Sequence, residues 1–461
     1  MEPDDGAATD APADTEVDAE TTGFDGDTAE HVGEAGEEDG GEATDADGAD
    51  GGTVLLPPVC GDRAIDPGEE CDDGNRMNDD GCDWLCRLGD GSFAYPGPDG
   101  SVPPIESATE AMAIGPVAGS VGDGMGPVRV AWGPGAYGIA YATESPTFAM
   151  NLVAVDPEGV ILGEPWSRPV PFAIPDFVPV GTDTGFGLLT RLRDDAATTL
   201  IRFDARASPI GSDVRLSTPS SGTDRAGLGG AVFDRGSFVV SYDIFLRWAV
   251  DSFSEDGMFE RSSGLIDIPA ELGPTSTNIF ALDDGYAVAD TTAVLVLDRD
   301  LRPRRWTGAI PGLMFMAPEH DVRPLTCSGD ALFVIWAADS IWLAAVGLDG
   351  ELLYPPRTVG APVSLYGPLT IRAAWGPAGL GIAFSTRAAM PMWPSIYLAN
   401  TDRWGNLISG PVLVFGPEDE ISNTGSFELV ADDTGYAVVA WVHDSGAVHD
   451  TLRLRRFVPA P

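Results

Sequence analysis

A small residue followed by an aromatic or leucine, then by an apolar run, recurs seven times along this chain. The pairs are Ala136-Tyr137, Gly185-Phe186, Ser237-Phe238, Gly285-Tyr286, Ala331-Leu332, Gly379-Leu380 and Gly435-Tyr436, spaced by 49, 52, 48, 46, 48 and 56 residues. Two copies are nearly superimposable, AWGPGAYGIAYAT from Ala131 and AWGPAGLGIAFST from Ala374. Around each anchor, short runs of Val, Ile, Phe, Tyr and Trp alternate with Gly, Pro and Asp turns, and no long segment keeps a helical period. This is an all-β pattern. A second turn follows each anchor, as at Asp156-Pro157-Glu158-Gly159, Asp256-Gly257, Asp349-Gly350 and Asp402-Arg403-Trp404-Gly405, with degenerate versions at Asp204 and Asp298. One unit therefore reads strand A, tight turn, strand B, longer loop, strand C, tight turn, strand D. Four strands in about 50 residues, repeated, form a β-propeller blade. Seven anchors predict a seven-bladed β-propeller over residues 93–461.

The last copy is one strand short. After Tyr436 the chain offers strands over 436–442 and 451–458 and then stops. A turn and strand stand at the other end of the repeat region, Gly97-Pro98-Asp99-Gly100-Ser101-Val102. The N-terminal strand near Ser101 is expected to complete the last blade and remove an open edge.

Upstream of the propeller lie two further regions. Residues 1–59 hold 19 of the chain's 72 acids and none of its 26 basic residues, all of which are arginine. With almost no large apolar groups, this segment is expected to be a disordered acidic linker. Residues 60–92 carry four cysteines in 27 positions, Cys60, Cys71, Cys82 and Cys86, among turn formers and acids. A module this small cannot bury a sufficient apolar core and needs disulfides, metal or both. Two disulfides require an oxidising compartment. The alternative is a cytosolic thiolate–zinc site, although only Cys82 and Cys86 have a usual zinc spacing. Asp72, Asp73, Asn75, Asn78, Asp79 and Asp80, punctuated by Gly74 and Gly81, form an oxygen-rich loop that suits Ca2+.

The run CGDRAIDPGEECDDGNRMNDDGCDWLC resembles the Cys-rich repeat of surface and secreted proteins of myxobacteria and related bacteria. It is similar, more distantly, to Notch-type repeats. The resemblance covers residues 60–86. It implies disulfide pairing of Cys60, Cys71, Cys82 and Cys86 and a location outside the cytosol, and the Notch likeness adds weight to calcium.

A formal charge of −46 makes nucleic acid and anionic membranes poor partners. No run of about 18 apolar residues predicts a transmembrane helix. Met1 leads directly into Glu2, Asp4 and Asp5, so no export signal is visible; export then requires a signal upstream of this start.

Function is expected on the face that carries the longer B–C and D–A loops. The longest B–C loops belong to copies 6, 7 and 1, neighbours in a closed ring. They offer Arg387, Met390, Met392 and Trp393; His443, Asp444, His449 and Asp450; and Phe148. Exposed Trp, Met and Arg are typical of interfaces. Catalysis has little support, because the only histidines are His31, His320, His443 and His449 and no Gly-x-Ser-x-Gly, His-Glu-x-x-His or phosphate-loop motif occurs. Cys327 is expected to be a buried, inert thiol.

The sequence thus points to an exported or surface-tethered bacterial protein, monomeric, lipoprotein-like in its acidic spacer, with a propeller that binds a protein or glycan. A propeller-fold enzyme acting on a polysaccharide or lactone-like substrate and a structural envelope protein are the alternatives.

Overall fold

The computed structural model describes residues 105–107, 109–110, 112–114 and 128–460, except for 144–147, 171–175, 192–196, 217–226, 245–246, 268–276, 290–293, 308–324, 338–339, 349–350, 355, 363–367, 388–393, 417–418, 420–426 and 443–450. The acidic segment 1–59 and the Cys-rich segment 60–92 lie outside them. All described strands fall into seven antiparallel sheets: six of four strands, and one of five because its outer strand is in two pieces.

Blade 1 shows the plan. Strand A (Arg129–Gly133), B (Ala136–Thr143), C (Ala149–Val155) and D (Trp166–Pro169) pair in that order. Blades 2 to 6 repeat it, and each anchor opens or immediately precedes its strand B. Strand B of blade 1 is buried at every position, because each blade has a neighbour on both faces. Such a strand reads as a continuous apolar run rather than an alternation.

The innermost strands of successive blades lie side by side around the whole ring, with Phe427–Ala431 of blade 7 meeting Arg129–Gly133 of blade 1. The core is divided accordingly. Among the described residues there are seven apolar clusters, one at each junction between consecutive blades.

The anchor's role is visible at these junctions. The ring at its second position enters the preceding blade and lies over that blade's third anchor position. Phe186 covers Gly138, Phe238 covers Gly187 and Tyr436 covers Gly381; a Cβ on any of these glycines would lie 2.5–2.7 Å from a ring carbon. Where the incoming residue is a leucine, the partner has a side chain: Leu332 packs in one cluster with Ala287, and Leu380 with Phe333. Two tyrosines instead project a hydroxyl to an acid of the preceding blade, Tyr286 to Asp234 at 3.0 Å and Tyr137 to Asp432.

Four of the C–D turns share one device. Asp156, Asp204, Asp298 and Asp402 each accept backbone N–H groups two and four residues on. The fourth turn residue is left-handed: Gly159 (φ 84°), Ala207 (φ 60°), Leu301 (φ 62°) and Gly405 (φ 74°). The turns at Asp204 and Asp298 are therefore not degenerate. Aspartate carries the geometry, and Ala207 and Leu301 tolerate the strained φ while burying their side chains.

Blade 7 has Phe427–Ala431, Tyr436–Val442 and Thr451–Pro459 as A, B and C. Its outer strand comes from the N-terminal side. Ile105–Ser107 pairs with Phe457 to Pro459, and Met112–Ile114 pairs with Leu452 to Leu454. Ile114 is buried at the junction of blades 7 and 1. The closing strand is thus found downstream of the expected Ser101, which lies outside the described residues.

Candidate functional site

Strand A of each blade faces the centre of the ring, and the chain enters it from the D–A connection. The end of the channel where those connections and the B–C loops emerge is therefore built on the first residues of the A strands. One repeat position, eight residues before the anchor ring, differs sharply around the ring. It is Val178, Gly230 and Asn278 in blades 2, 3 and 4, but Arg372, Glu428 and Arg129 in blades 6, 7 and 1.

These three side chains meet. Arg129 Nη1 lies 3.4 Å from Glu428 Oε2, and Arg372 Nε lies 3.3 Å from Glu428 Oε1. Each arginine also donates from Nη1 to the carbonyl of its preceding residue, Val128 at 3.1 Å and Ile371 at 3.0 Å. Arg372 lies over the Phe427 ring at 6.0 Å. Both arginines are nearly inaccessible, at 7% and 2% exposure. Desolvating such ions costs about as much as their attraction returns. An Arg–Glu–Arg bridge across three blades is thus poorly explained by stability alone; it ties the A strands of blades 6, 7 and 1 together.

At the opposite, turn end of the same junction sits a second polar cluster. Asp432 in the A–B turn of blade 7 accepts from Arg456 Nε at 2.8 Å, from Thr434 N and Gly435 N at 2.7 Å, and from Tyr137 Oη. Burial works to raise the Asp432 carboxyl, but bonds from Arg456, Tyr137 and Thr434 together outweigh it and hold the group at about 2. Burial, then Asp432 itself, pushes the Tyr137 hydroxyl well above its ordinary value. Arg456 N also donates to Thr109 Oγ1 at 3.1 Å, beside the closing strand. This cluster ties blade 7, blade 1 and the closing segment together.

Of the residues expected on the loop face, Phe148 packs partly buried against the core between blades 1 and 2. Arg387 ends strand B of blade 6, its backbone opposite Pro394. Met390, Met392, Trp393, His443, Asp444, His449 and Asp450 lie outside the described residues, as do Cys60, Cys71, Cys82, Cys86 and the acidic loop Asp72, Asp73, Asn75, Asn78, Asp79 and Asp80. Among the described residues no three ligating side chains converge on a metal position. Nor is any helix there long and apolar enough to cross a membrane. Cys327 ends the short strand Leu325–Cys327 as a free thiol, and burial pushes it up to about 12.

The Arg–Glu–Arg cluster was missed in the sequence although its signal is present. The two near-identical copies match from Ala131 and Ala374; extended two residues upstream, both begin with arginine, Arg129 and Arg372.

No family model matches this chain, and no curated protein matches it. Solved structures resemble it. They include the Dos1 propeller, 11% identical over 76% of this chain and 95% of that one, with a TM-score of 0.44. The Pan2 WD40 domain of Neurospora crassa is 12% identical over 78% and 97%, with a TM-score of 0.44. A putative 6-phosphogluconolactonase from Bacteroides uniformis is 14% identical over 59% and 80%, with a TM-score of 0.40. On its own strand pairing, the described part of this chain is an all-β, seven-bladed β-propeller.

Proposed function

We propose that this chain is an exported, surface-tethered binding protein whose propeller recognises a protein or glycan ligand on its loop-bearing face, in the sector of blades 6, 7 and 1. A single observation carries the choice of sector. The repeat position that is uncharged in blades 2, 3 and 4 becomes Arg372, Glu428 and Arg129 there. The B–C connections of these blades carry Met392, Trp393, His443, His449 and Phe148, with Arg387 at the strand end beside them; that of blade 7, residues 443–450, is the longest, whereas that of blade 1, 144–148, is shorter than that of blade 2, 192–197, contrary to the expectation from the sequence. A rigid wall under variable loops is the usual arrangement for recognition. Arrays of glycans and of peptides test this reading. A ligand lost on Met392→Ala plus Trp393→Ala, with the melting curve unchanged, supports it. A ligand whose affinity ignores both those residues and His443→Ala plus His449→Ala contradicts it.

In this reading residues 1–59 form a spacer and residues 60–92 a disulfide-stapled, calcium-holding module. The four closely spaced cysteines and the resemblance to repeats of exported proteins support that assignment. Mass spectrometry of unreduced protein is expected to show four hydrogens lost from Cys60, Cys71, Cys82 and Cys86. Zinc retained on reduced thiols would place the protein in a reducing compartment instead. Chelation of calcium is expected to raise the protease sensitivity of residues 60–86 alone.

A further inference from the structure

The outer strand of blade 7 is held more lightly than the strand it covers. Its two pieces, Ile105–Ser107 and Met112–Ile114, are three residues each, and among the described strands they pair with Thr451–Pro459 alone. Thr451–Pro459 is paired on both edges, because Tyr436–Val442 follows it along residues 451–457 on its inner side. Two side chains fasten the closing strand: Met112, which lies over Gly159 in the C–D turn of blade 1, and Ile114, buried between blades 7 and 1. The pairing is antiparallel, so the N-terminal end at Ile105 lies against Pro459, at the turn end of the blade. The next described residues after Ile114 are Val128, fully buried, and Arg129, bridged to Glu428.

We propose that this strand is a force-released seal: a pull from the N-terminal side peels residues 105–114 off blade 7 before any blade unfolds, and opens the ring at the junction of blades 7 and 1. Load entering at Ile105 meets the backbone pairs one after another, from the turn end inward, so they break singly and not in concert. Stripping Thr451–Pro459 instead would break pairs on both of its edges together. The peeling ends at Val128 and Arg129, whose strand A is flanked by those of blades 7 and 2. Local opening of a lightly held element, at a cost well below global unfolding, is a general property of folded chains. It leaves Thr451–Pro459 as an open strand edge. In a protein held by its spacer, as proposed above, this pull is the tension on the tether, and the junction that opens borders the ligand sector; that consequence rests on the proposed function, whereas the seal does not.

Optical tweezers on the full chain test the seal, with one handle at the N-terminus and the other on Arg302→Cys, an exposed position in the C–D turn of blade 4, across the ring from blade 7. The first step of the propeller is expected to release residues 105–127, about 8 nm of contour at roughly 3.5 Å per residue. It is expected at lower force than every later propeller step, and to reseal on relaxation. Glu106 and Val458 are paired residues, close enough for a cross-strand disulfide. Glu106→Cys plus Val458→Cys, oxidised, is expected to remove that step, and reduction to restore it. Ile114→Ala is expected to lower the force of the step without changing its length. Extension of the whole propeller in one step overturns the proposal. So does a step that survives the cross-link, a force indifferent to Ile114→Ala, or a first step that runs past Val128. None of these measurements uses a ligand, so failure of the seal is distinct from failure of the loop-face site.

Discussion

Gly138→Ala inserts one methyl group at the junction of blades 1 and 2, where the anchor ring of blade 2 lies. The new Cβ would sit 2.5 Å from Phe186 Cδ1 and 2.7 Å from Cε1, about 1 Å inside ordinary carbon–carbon contact. The ring cannot turn away. Phe186 is 1% exposed, and a Cβ on Gly133 would meet the same ring at 2.6 Å, so glycine is needed on two sides of it. Overpacking of this kind costs about 1–3 kcal/mol. Alanine recovers about 0.4–1 kcal/mol by restricting the unfolded chain. A net loss of about 1–2 kcal/mol is expected by equilibrium denaturation in urea, read as a lower midpoint at constant slope. Phe186→Leu alone opens a cavity and costs a similar amount. The pair together is expected to cost less than the sum by at least about 1 kcal/mol, because leucine over a side chain is the arrangement at the junction of blades 5 and 6. Gly138→Ala within about 0.5 kcal/mol of the parent, or strict additivity of the pair, would refute the account of the anchor.

Other parts of the fold can be tested in the same way. Asp432 titrates near 2 in the folded protein, below its unfolded value near 3.8, so its contribution of about 2 kcal/mol is complete above pH 4 and is lost as pH falls from about 4 towards 2. Asp432→Asn is expected to lower neutral-pH stability by about that amount and flatten the acid limb of a stability–pH curve. Glu428→Leu leaves Arg129 and Arg372 buried without the carboxylate that bridges them and is expected to cost about 3 kcal/mol, whereas replacing all three by Met, Leu and Met is expected to fall within about 1.5 kcal/mol of the parent. Denaturation midpoints distinguish these outcomes. Leu301→Gly relieves a left-handed φ but empties a buried site, so a loss of about 1–2 kcal/mol is expected, against a near-neutral Ala207→Gly.

The blade repeat could be read from the sequence because the anchor answers to a strict packing demand, a ring laid into the preceding blade, that recurs whatever the loops do. The C–D turns were harder to read. Glycine marks the turns at Asp156 and Asp402, yet at Asp204 and Asp298 the aspartate carries the turn and Ala207 or Leu301 occupies the left-handed position. The closing strand was misplaced for a related reason. Gly97 to Val102 has a strong turn signal, whereas the paired segments Ile105–Ser107 and Met112–Ile114 are three residues each and show no period. The Arg129–Glu428–Arg372 cluster depends on which repeat position faces the channel, and its members are of opposite sign, so a search for similar residues at similar places passes over Glu428.

Closure of the ring by the N-terminal segment is the central claim, and truncation tests it most directly. Ile114 and Met112 pack in the core between blades 7 and 1, and their strand covers the edge of Thr451–Pro459. A chain beginning at residue 104 is expected to melt as the intact protein's propeller does. A chain beginning at residue 116 is expected to melt well below it and to aggregate through the opened edge, with a peptide spanning residues 104–115 restoring much of the loss. Equal melting temperatures for the two truncated chains would contradict the closure of this propeller by residues 105–114.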